Sequence, residues 1–461
     1  MKGTRRLIRG SALAAGLALG LLAAACTTGT TGAPSPVAAT TGVTGPATAA
    51  PATTAASSGA PITVVVPTGS TTAPSPVPTS VDPPATTSST TSTPTTTTTP
   101  KPKPKPPTVA ASPKLGSTGV APLQTIKITA SGGTLHDVTM VNTATGTAVK
   151  GTFSADHRTW ILGEPLGYAQ TYQVTGTALG SGGAKTKISA GYATVEPAGI
   201  INSWISPTDG DTVGIGAPIM IGINAEIDDQ AARARIEKAI TVTTVPKTEG
   251  AFAWIQHDDG WGLDWRPKNY WKSGTKVTVK ANLYGVDLGK GLWGEKDVAS
   301  SFTIGRAEVV KGDVNSHRLQ VFVDNKLVYD FPTSYGLESD PGRVTHSGTY
   351  IVMSKEYLHL MSNPAYHYYN FKAYYAVRIS NNGTFIHAND GTDDVQGYYN
   401  VTHGCANLSM TNAQTYYDQA LYGDPVEITG SSIALSASDG DTYDWTIPWS
   451  QWVTLSALHK S

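Results

Sequence analysis

Short runs of alternating apolar and polar residues, separated by Gly and Pro, recur along the chain from about residue 113 onward. Residues 319–323 and 326–331 alternate in this way on either side of the polar pair Asp324 and Asn325, which predicts a β-hairpin. One stretch, 412–421, instead has apolar residues at helical spacing and predicts a helix. Further strands are predicted at 348–353, 375–379 and 385–387. The pattern therefore predicts a mainly β protein.

Two segments before this hairpin resemble each other. In each, a Trp and a Pro precede a strand of alternating apolar residues, with Trp160 in the first segment and Trp265 in the second. This spacing is expected when a Trp points inward between the two sheets of a sandwich. We predict one immunoglobulin-like sandwich at 113–197 and another at 198–306, with their aromatic residues in the core and a role as spacers.

A third β-rich domain is predicted at 307–430, followed by a C-terminal extension at 431–461. The extension is polar, yet it carries Trp445, Trp449 and Trp452 within eight positions. Side chains this large are expected to pack back onto the protein, and we expect the groove between the third domain and the domain before it.

The N-terminus has basic residues followed by an apolar run, 11–25, that is too short and too rich in Ala and Gly for a membrane span. It predicts an export signal. The run ends in small residues directly before Cys26, which resembles the lipobox of bacterial lipoproteins, although Ala23 stands where Leu is commonest. The resemblance implies a signal peptide at 1–26, a lipid on Cys26 and an extracytoplasmic protein held on the cell membrane and facing the cell wall. An ordinary signal peptide, with Cys26 incidental, stays open.

The segment 27–112 is composed almost wholly of Thr, Ala, Pro, Ser and Gly. Such a composition cannot bury enough apolar surface to offset the entropy of the chain, so we predict a disordered tether. Its 86 residues could reach on the order of 200 Å when extended. A lipid at one end and a tether of this length suit a catalytic domain that works at a distance from the membrane.

The other cysteine, Cys405, lies in the sequence Thr-His-Gly-Cys-Ala-Asn. A thiolate is a far better nucleophile than a thiol, so a reactive cysteine needs a nearby base or positive charge. His387 and His403 are the candidate bases. We favour His387, because a strand can bring it alongside Cys405, whereas His403 is only two residues away and need not reach the sulfur.

The residues around the cysteine have predicted supporting roles. Gly404 permits a turn that exposes the sulfur, and the backbone N–H groups of 403–405 are candidates to bind a developing oxyanion. The backbone carbonyl of Ala388 is the candidate that orients the imidazole of His387. Asn407 or Thr402 would hold the loop.

Other chemistries fit the sequence less well. His387, His403 and Cys405 could in principle bind zinc, but a structural site needs four ligands, and we predict neither a metal nor another cofactor. A papain-like hydrolase has its cysteine before its histidine, the reverse of the order found here. A formal net charge of −1 gives no basic surface for nucleic acid.

The segment from His387 to Asn407 resembles the L,D-transpeptidase (YkuD-like) family of bacterial cell-wall enzymes. His387 is followed by fourteen residues and then by Thr402-His403-Gly404-Cys405-Ala406-Asn407, so each fixed position of the family motif is filled. The segments 265–267 and 283–289 and the Trp-rich tail also resemble multidomain actinobacterial members. The fold expected is two immunoglobulin-like β-sandwich domains, a β-rich L,D-transpeptidase catalytic domain with a short helix, and the Trp-rich extension.

The resemblance implies a reaction on peptidoglycan. Cys405 would attack the carbonyl of the third residue of a tetrapeptide stem, release the terminal D-Ala, and pass the acyl group to the side-chain amine of the third residue of a neighbouring stem. Water as acceptor would give an L,D-carboxypeptidase, and a non-catalytic wall-binding lipoprotein is a further alternative. The family also carries a lid over the donor pocket, and Met361, Tyr369 and Thr402 occupy the matching substrate-binding positions. Carbapenem β-lactams are the inhibitors that the resemblance implies.

Overall fold

The computed structural model describes residues 103–257, 260–440 and 442–460, and these form three β-rich domains that each have a hydrophobic core of their own. Cys26 and residues 27–102 of the predicted tether lie outside the described residues. Within the part that is described, no helix has the length and apolar character needed to cross a membrane.

The first domain is a sandwich of two antiparallel sheets. Trp160 lies buried between them, which confirms the inward orientation predicted for it. The sandwich begins earlier than the predicted residue 113, because residues at the end of the predicted tether alternate and pair as an edge strand. The strands are β1 (Thr108–Ser112), β2 (Lys127–Ser131), β3 (Gly133–Asn142), β4 (Ala148–Val149), β5 (Gly151–Phe153), β6 (Thr159–Leu162), β7 (Thr171–Gly180) and β8 (Lys185–Ala193). The sheet orders are β1-β2-β6-β5 and β4-β3-β7-β8.

The second domain is also a sandwich, with Trp265 and Trp271 stacked in its core at 5.2 Å between ring centroids. Its strands are β9 (Gly199–Ile201), β10 (Ser203–Ser206), β11 (Thr212–Val213), β12 (Ile219–Ile223), β13 (Ile240–Val245), β14 (Gly250–His257), β15 (Gly260–Pro267), β16 (Lys276–Ala281), β17 (Asp287–Gly289), β18 (Leu292–Gly294) and β19 (Val298–Ile304). The main sheets have the orders β10-β12-β15-β14 and β11-β19-β16-β13. The helix α1 (Gln230–Lys238) was not predicted, and Asp229 caps it by accepting from the backbone N–H groups of residues 231 and 232.

The third domain contains the predicted hairpin, in which Asp324 and Asn325 form the turn with φ of 51° and 62°. Two successive positive φ values suit the twist of a two-residue hairpin, and Asp and Asn tolerate them best after Gly. The elements are β20 (Glu308–Asp313), β21 (Arg318–Val323), β22 (Lys326–Pro332), β23 (Gly348–Ile351), β24 (Ser354–Asn363), β25 (Tyr368–Arg378), β26 (Phe385–Ala388), β27 (Ala406–Leu408), α2 (Met410–Gln419) and β28 (Pro425–Thr429). The helix starts two residues before the predicted one, because Ser409 accepts from the N–H of Asn412 and caps it there.

Two sheets of this domain enclose its core. The first has the order β22-β21-β20-β28-β23 and the second the order β24-β25-β26-β27. The helix α2 packs against β25 and β26 and contributes Ala413 and Tyr416 to the core. The strands that carry the family motif are therefore packed against the hydrophobic core of the third domain.

The C-terminal extension contacts both domains that border the predicted groove, because Leu435 packs in the core of the third domain and Trp452 packs with Ala253 and Ile255 of the second sandwich. Trp452 is fully buried and donates from its indole N–H to the carbonyl of Ala251, at 2.9 Å. It belongs to the short helix α3 (Trp449–Trp452). The guanidinium of Arg266 lies against the rings of all three tail tryptophans, at 4.6 to 5.3 Å from their centroids.

A buried ion network lies where the third domain begins. Arg306, at the start of the third domain, contacts the carboxylates of Glu308 at 2.8 Å and Asp424 at 2.9 Å. Both carboxylates are fully buried, and burial raises the pKa of each, although the charge of Arg306 opposes this effect. Contact with the second sandwich is made by backbone hydrogen bonds, which Gly214 and Gly216 donate to the carbonyls of Tyr422 and Gly423 at 2.7 and 2.8 Å.

Candidate active site

Parallel pairing of β26 with β27 brings the two halves of the sequence motif together. His387 pairs with Asn407 and Ile386 with Ala406, so the residue before β27, Cys405, lies beside the start of β26. The chain between the two strands loops out and returns, which is why residues eighteen positions apart become neighbours. This pairing agrees with the prediction that a strand brings His387 alongside the cysteine.

Cys405 lines a cavity and is 9% exposed, so the sulfur is not displayed on an open turn as the sequence suggested. Its neighbours are the apolar residues Ala373, Ala376 and Phe385. The sulfur lies 3.7 Å from the carbonyl oxygen of Gly383. Burial raises the pKa of the Cys405 thiol to about 11, against the opposing effects of the Phe385 backbone and of Arg378.

His387 is buried at the same cavity and is held by its own strand. The Nδ1–H of His387 donates to the carbonyl oxygen of Ala388 at 2.8 Å, which is the orienting contact predicted from the sequence. This bond leaves Nε2 as the proton acceptor. Burial lowers the pKa of His387 to about 4, so the imidazole is neutral at physiological pH.

The loop before the cysteine is held from several sides. The hydroxyl of Thr402 donates to the carbonyl of Cys405 at 2.7 Å, and the hydroxyl of Thr345 donates to the carbonyl of Gly404 at 2.9 Å. Arg343 donates from Nε to the carbonyl of Thr402 at 3.0 Å. Gly404 has a φ of 110°, a conformation that side chains other than glycine rarely adopt, so the turn requires this residue.

Three backbone N–H groups were the predicted oxyanion donors. The N–H of Gly404 is already directed to the hydroxyl of Thr402, at 3.3 Å. The N–H groups of His403 and Cys405 have no hydrogen-bond acceptor among the residues that the structure describes. Two of the three donors therefore remain available to a ligand in the cavity.

His403 is exposed and lines the same cavity as Cys405. Its ring contacts Tyr366 and Tyr368, with centroid distances of 4.9 and 5.3 Å. Burial lowers the pKa of His403, and the charge of Arg343 lowers it further. These contacts join the motif to the hairpin β24–β25, which we call the flap (354–378). They suit a supporting role better than that of the base.

The flap covers one side of the cavity, whose volume is about 280 Å³. Met361, predicted to contact the substrate, lines this cavity, as do Thr402 and Asn407. Tyr369 does not; its side chain is 63% exposed, and its neighbour Tyr368 lines the cavity instead. The strand is irregular here, with Asn370 at a φ of 53°, and this irregularity changes which side chains face inward.

Several lining residues were missed from the sequence. Phe371 comes from the flap and Val401 from the loop before the motif, while Asn389 and Thr392 lie in the turn after β26. The last two could have been found, because a loop that leaves a catalytic strand commonly lines the site. Within the described part of the chain, no three His, Cys, Asp or Glu residues are grouped so that they could hold a metal ion.

The fold and the site define a multidomain protein whose terminal β-rich domain holds a buried cysteine and a neutral histidine at one cavity. Residues 307–428 match the sequence profile of the L,D-transpeptidase catalytic domain, and residues 117–287 match that of a bacterial immunoglobulin domain. The second match extends over parts of both sandwiches.

Curated relatives are similar over most of the chain. The L,D-transpeptidase 5 of Mycobacterium tuberculosis is 44% identical over 354 residues, which are 76% of this chain and 77% of that protein. The L,D-transpeptidase 2 of the same species is 39% identical over 75% of this chain and 84% of that protein. The chain therefore belongs to the L,D-transpeptidase family, a family of transferase-type enzymes.

Solved structures also resemble this chain. One is the crystal structure of L,D-transpeptidase 3 from Mycobacterium tuberculosis in complex with a faropenem-derived adduct. It is 27% identical to this chain and covers 49% of it and 97% of the solved chain, with a TM-score of 0.41.

Proposed function

We propose that this protein is a peptidoglycan L,D-transpeptidase that forms third-to-third cross-links through an acyl-enzyme on Cys405. The observation that carries the proposal is that Cys405 and His387 line one cavity, with Nδ1 of the imidazole bound to the carbonyl of Ala388 and Nε2 left as the proton acceptor. A nucleophile and a base oriented by a third group form the arrangement that acyl transfer requires.

In the first half of the reaction, His387 accepts the thiol proton as the sulfur attacks the carbonyl of the third residue of a tetrapeptide stem. A carbon–sulfur bond forms, and the N–H groups of His403 and Cys405 stabilise the negative charge on the oxygen. The bond to the terminal D-Ala then breaks, and His387 returns the proton to its amine. The free enzyme need not hold a thiolate–imidazolium pair, because proton transfer and attack occur together.

In the second half, the neutral side-chain amine of the third residue of another stem attacks the thioester. The carbon–nitrogen bond forms and the carbon–sulfur bond breaks, while the amine proton passes through His387 to the sulfur of Cys405. The cavity is lined largely by apolar side chains such as Met361 and Phe371, which disfavours water as the acceptor.

Carbapenems fit the same proposal as inhibitors. Their strained cyclic amide offers Cys405 a carbonyl to attack, but the amine that leaves stays attached to the acyl group. The tethered amine therefore stays in the cavity, where the acceptor would otherwise bind, so we expect a stable adduct.

The same proposal covers anchoring. A lipid on Cys26 and a tether beginning after it would hold the enzyme on the membrane and let it reach the wall. Replacing Cys26 by Ala should move the exported protein from the membrane fraction to the soluble fraction, and detergent partitioning of both forms measures this. Unchanged partitioning contradicts the anchor and leaves the ordinary signal peptide.

Intact-mass spectrometry tests the reaction. The soluble protein incubated with a tetrapeptide stem should gain the mass of the stem minus D-Ala, and with a carbapenem the mass of the whole drug. Cys405→Ala should gain neither while it keeps the thermal unfolding profile of the wild type. Adduct formation in that variant would assign the nucleophile elsewhere.

A further inference from the structure

Two threonine hydroxyls hold the backbone carbonyls of the turn that carries the cysteine. Thr402 donates to the carbonyl of Cys405 at 2.7 Å, and Thr345 donates to the carbonyl of Gly404 at 2.9 Å. Thr402 lines the cavity, whereas Thr345 comes from a segment 59 residues before Gly404 and does not line it. Thr345 therefore influences the site only through the backbone of the turn.

The bond from Thr345 acts on the peptide unit between Gly404 and Cys405, which is trans. In a planar trans peptide the C=O and N–H groups point in opposite directions. A hydroxyl that fixes the carbonyl of Gly404 therefore also fixes the N–H of Cys405, which points away from Thr345. This N–H is one of the two in the turn that have no acceptor among the described residues.

Gly404 does not fix this peptide by its own geometry. Its φ of 110° is accessible because glycine lacks a Cβ, and the same freedom allows the next peptide to rotate. A Cβ at this position would lie 3.7 and 3.8 Å from the carbonyl oxygens of Val344 and Arg343, which is ordinary contact and no steric block. The hydrogen bond from Thr345 supplies the restraint that the glycine lacks.

The side chain of Thr345 is itself held in place. It is 2% exposed, and its hydroxyl oxygen accepts from the N–H of Gly336 at 2.8 Å. With this acceptor position occupied, the hydroxyl hydrogen is directed to the carbonyl of Gly404. The hydroxyl thus links two backbone groups from different parts of the chain.

The C-terminal extension supports the segment that carries Thr345. The N–H of Ser347 donates to the carbonyl of Ile433, and the N–H of Leu435 donates to the carbonyl of Ser347, both at 2.7 Å. The Nδ1 atom of His346 lies 2.7 Å from a carboxylate oxygen of Asp439. Residues 346 and 347 are therefore tied to the extension on one side, while Thr345 holds the cysteine turn.

We propose that Thr345 is a positioning residue for the oxyanion site. Its hydroxyl holds the peptide between Gly404 and Cys405, so the N–H of Cys405 is already oriented when the carbonyl oxygen of the substrate becomes negative. A donor that is oriented in advance stabilises this charge without reorganisation during the reaction. The inference rests on the proposed function, because an oxyanion forms only if Cys405 attacks a carbonyl group.

Two small reagents separate this role from a general effect on the sulfur. With 4-nitrophenyl acetate, the sulfur attacks the carbonyl carbon, negative charge develops on the oxygen, and nitrophenolate leaves. With iodoacetamide, the sulfur displaces iodide directly, and no oxyanion forms. Both reactions use the same nucleophile, so a change in its pKa or exposure largely cancels in the ratio of the two rates at one pH.

The variant Thr345→Val removes the hydroxyl and keeps the branched shape, whereas Thr345→Ser keeps the hydroxyl. The matched control is Thr275→Val in the second sandwich, which removes another fully buried hydroxyl, one that donates to the carbonyl of Lys272 at 2.7 Å. Each full-length protein is treated with each reagent, and mass spectrometry of the digested protein measures the adduct on Cys405.

We expect the ratio of the acylation rate to the alkylation rate to fall about tenfold in Thr345→Val. This is less than the 10² to 10³ typical for loss of a donor, because the N–H is still present but no longer held. The Ser variant and the control should keep the ratio of the wild type. An unchanged ratio in the Val variant, or an equal fall in the Ser variant, would overturn the inference.

Thermal unfolding shows whether each variant is folded. If Thr345→Val is not, the pair Thr345→Ser and Thr345→Ala, which differ only in the hydroxyl, decides in its place. A ratio about tenfold lower in the Ala variant than in the Ser variant supports the positioning role. Equal ratios reject it.

The tetrapeptide stem keeps the two proposals distinguishable. Where the stem acylates the wild type, Thr345→Val should lower kcat about tenfold and leave KM unchanged, because the interaction is made only in the transition state. If the ester acylates the wild type but the stem does not, the proposed function fails, and the ratio still decides the role of Thr345. A wild type that the ester does not acylate contradicts the inference, because the oriented N–H then stabilises no oxyanion.

Discussion

Burial acts in opposite directions on Cys405 and His387, the two side chains proposed to react. It raises the pKa of Cys405 to about 11 and lowers the pKa of His387 to about 4, so both are neutral at physiological pH. Formation of a thiolate–imidazolium pair in this cavity would require the desolvation of two charges, which costs free energy. The direction of both shifts favours a neutral thiol and a neutral imidazole in the free protein, and the proposed mechanism therefore transfers the proton only when the substrate is bound.

The first prediction concerns His387. Because the thiol is not ionised beforehand, loss of the base should slow acylation by a carbapenem at pH 7 by about 10² to 10⁴. His387→Ala is compared with His317→Ala, whose side chain binds Asn400 away from the cavity, with the adduct followed by intact-mass spectrometry. Wild-type acylation rates in His387→Ala would shift the role of base to another residue, with His403 the next candidate.

The second prediction concerns Arg378, whose guanidinium lies 4.2 Å from the ring centroid of Phe385. Its positive charge lowers the pKa of Cys405 and so opposes the effect of burial. In Arg378→Gln the thiol should ionise at higher pH, and alkylation at a fixed pH below that point should slow by roughly threefold to tenfold.

Arg378→Lys keeps the charge and should lie between this variant and the wild type. The measurement is the rate of alkylation by iodoacetamide from pH 7 to 10, which should rise with pH throughout in the wild type, because the thiolate is the reactive form. Identical profiles for the Gln variant and the wild type would show that the charge has no effect on the sulfur.

At the scale of elements, the flap shows how one irregular residue redirects a strand. Met361 pairs with Phe371, both facing the cavity, but the register shifts beyond them, towards the tip. Asn370, with its positive φ, lies between the inward Phe371 and the outward Tyr369. Strict alternation would place Tyr369 and Phe371 on one face, and the irregularity separates them.

The third prediction compares the two adjacent tyrosines of the flap. Tyr368→Ala removes a side chain that lines the cavity and contacts the ring of His403, so the KM for the tetrapeptide stem should rise by about tenfold, as for the loss of a buried aromatic contact. Tyr369→Ala should have the smaller effect, because its side chain faces solvent. Steady-state release of D-Ala measures both, and the reverse order would contradict the orientation of the flap.

At the scale of the whole molecule, the C-terminal extension ties the end of the chain to the second sandwich. The indole of Trp445 donates to the carbonyl of Gly216 at 2.8 Å and contacts the ring of Tyr270. Tyr270 in turn donates to the carboxylate of Glu427 on β28, at 3.0 Å. The extension therefore supports the junction between the sandwich and the catalytic domain.

The fourth prediction tests this support. Trp452→Ala leaves a cavity at a fully buried site, so it should lower the free energy of unfolding by about 3 to 5 kcal/mol. Trp204→Ala, at a partly exposed position of the second sandwich, should cost less. Chemical denaturation followed by circular dichroism measures both. Equal losses would mean that the extension adds little to the stability of the domain.

The sequence alone predicted those features that depend on residues close together in the chain. Alternation with the Asp324-Asn325 turn predicts the hairpin β21–β22, because the turn type and the register depend on adjacent residues. The spacing from His387 to Cys405 predicts the family, and the carbonyl of Ala388 is available to His387 because it belongs to the next residue. Inward packing of Trp160 and Trp265 likewise follows from the period of a strand.

Only the tertiary structure decided features that depend on distant residues. The burial of Cys405 comes from Ala373, Ala376 and Phe385, which the sequence around the cysteine does not reveal. The inward position of Tyr368 depends on a strand irregularity, and the placement of the tail depends on Arg266, nearly two hundred residues earlier. Side-chain type and spacing determine which chemistry is available. Desolvation and strand register depend on contacts throughout the folded chain, and they determine the pKa values of the two side chains and the cavity in which the chemistry occurs.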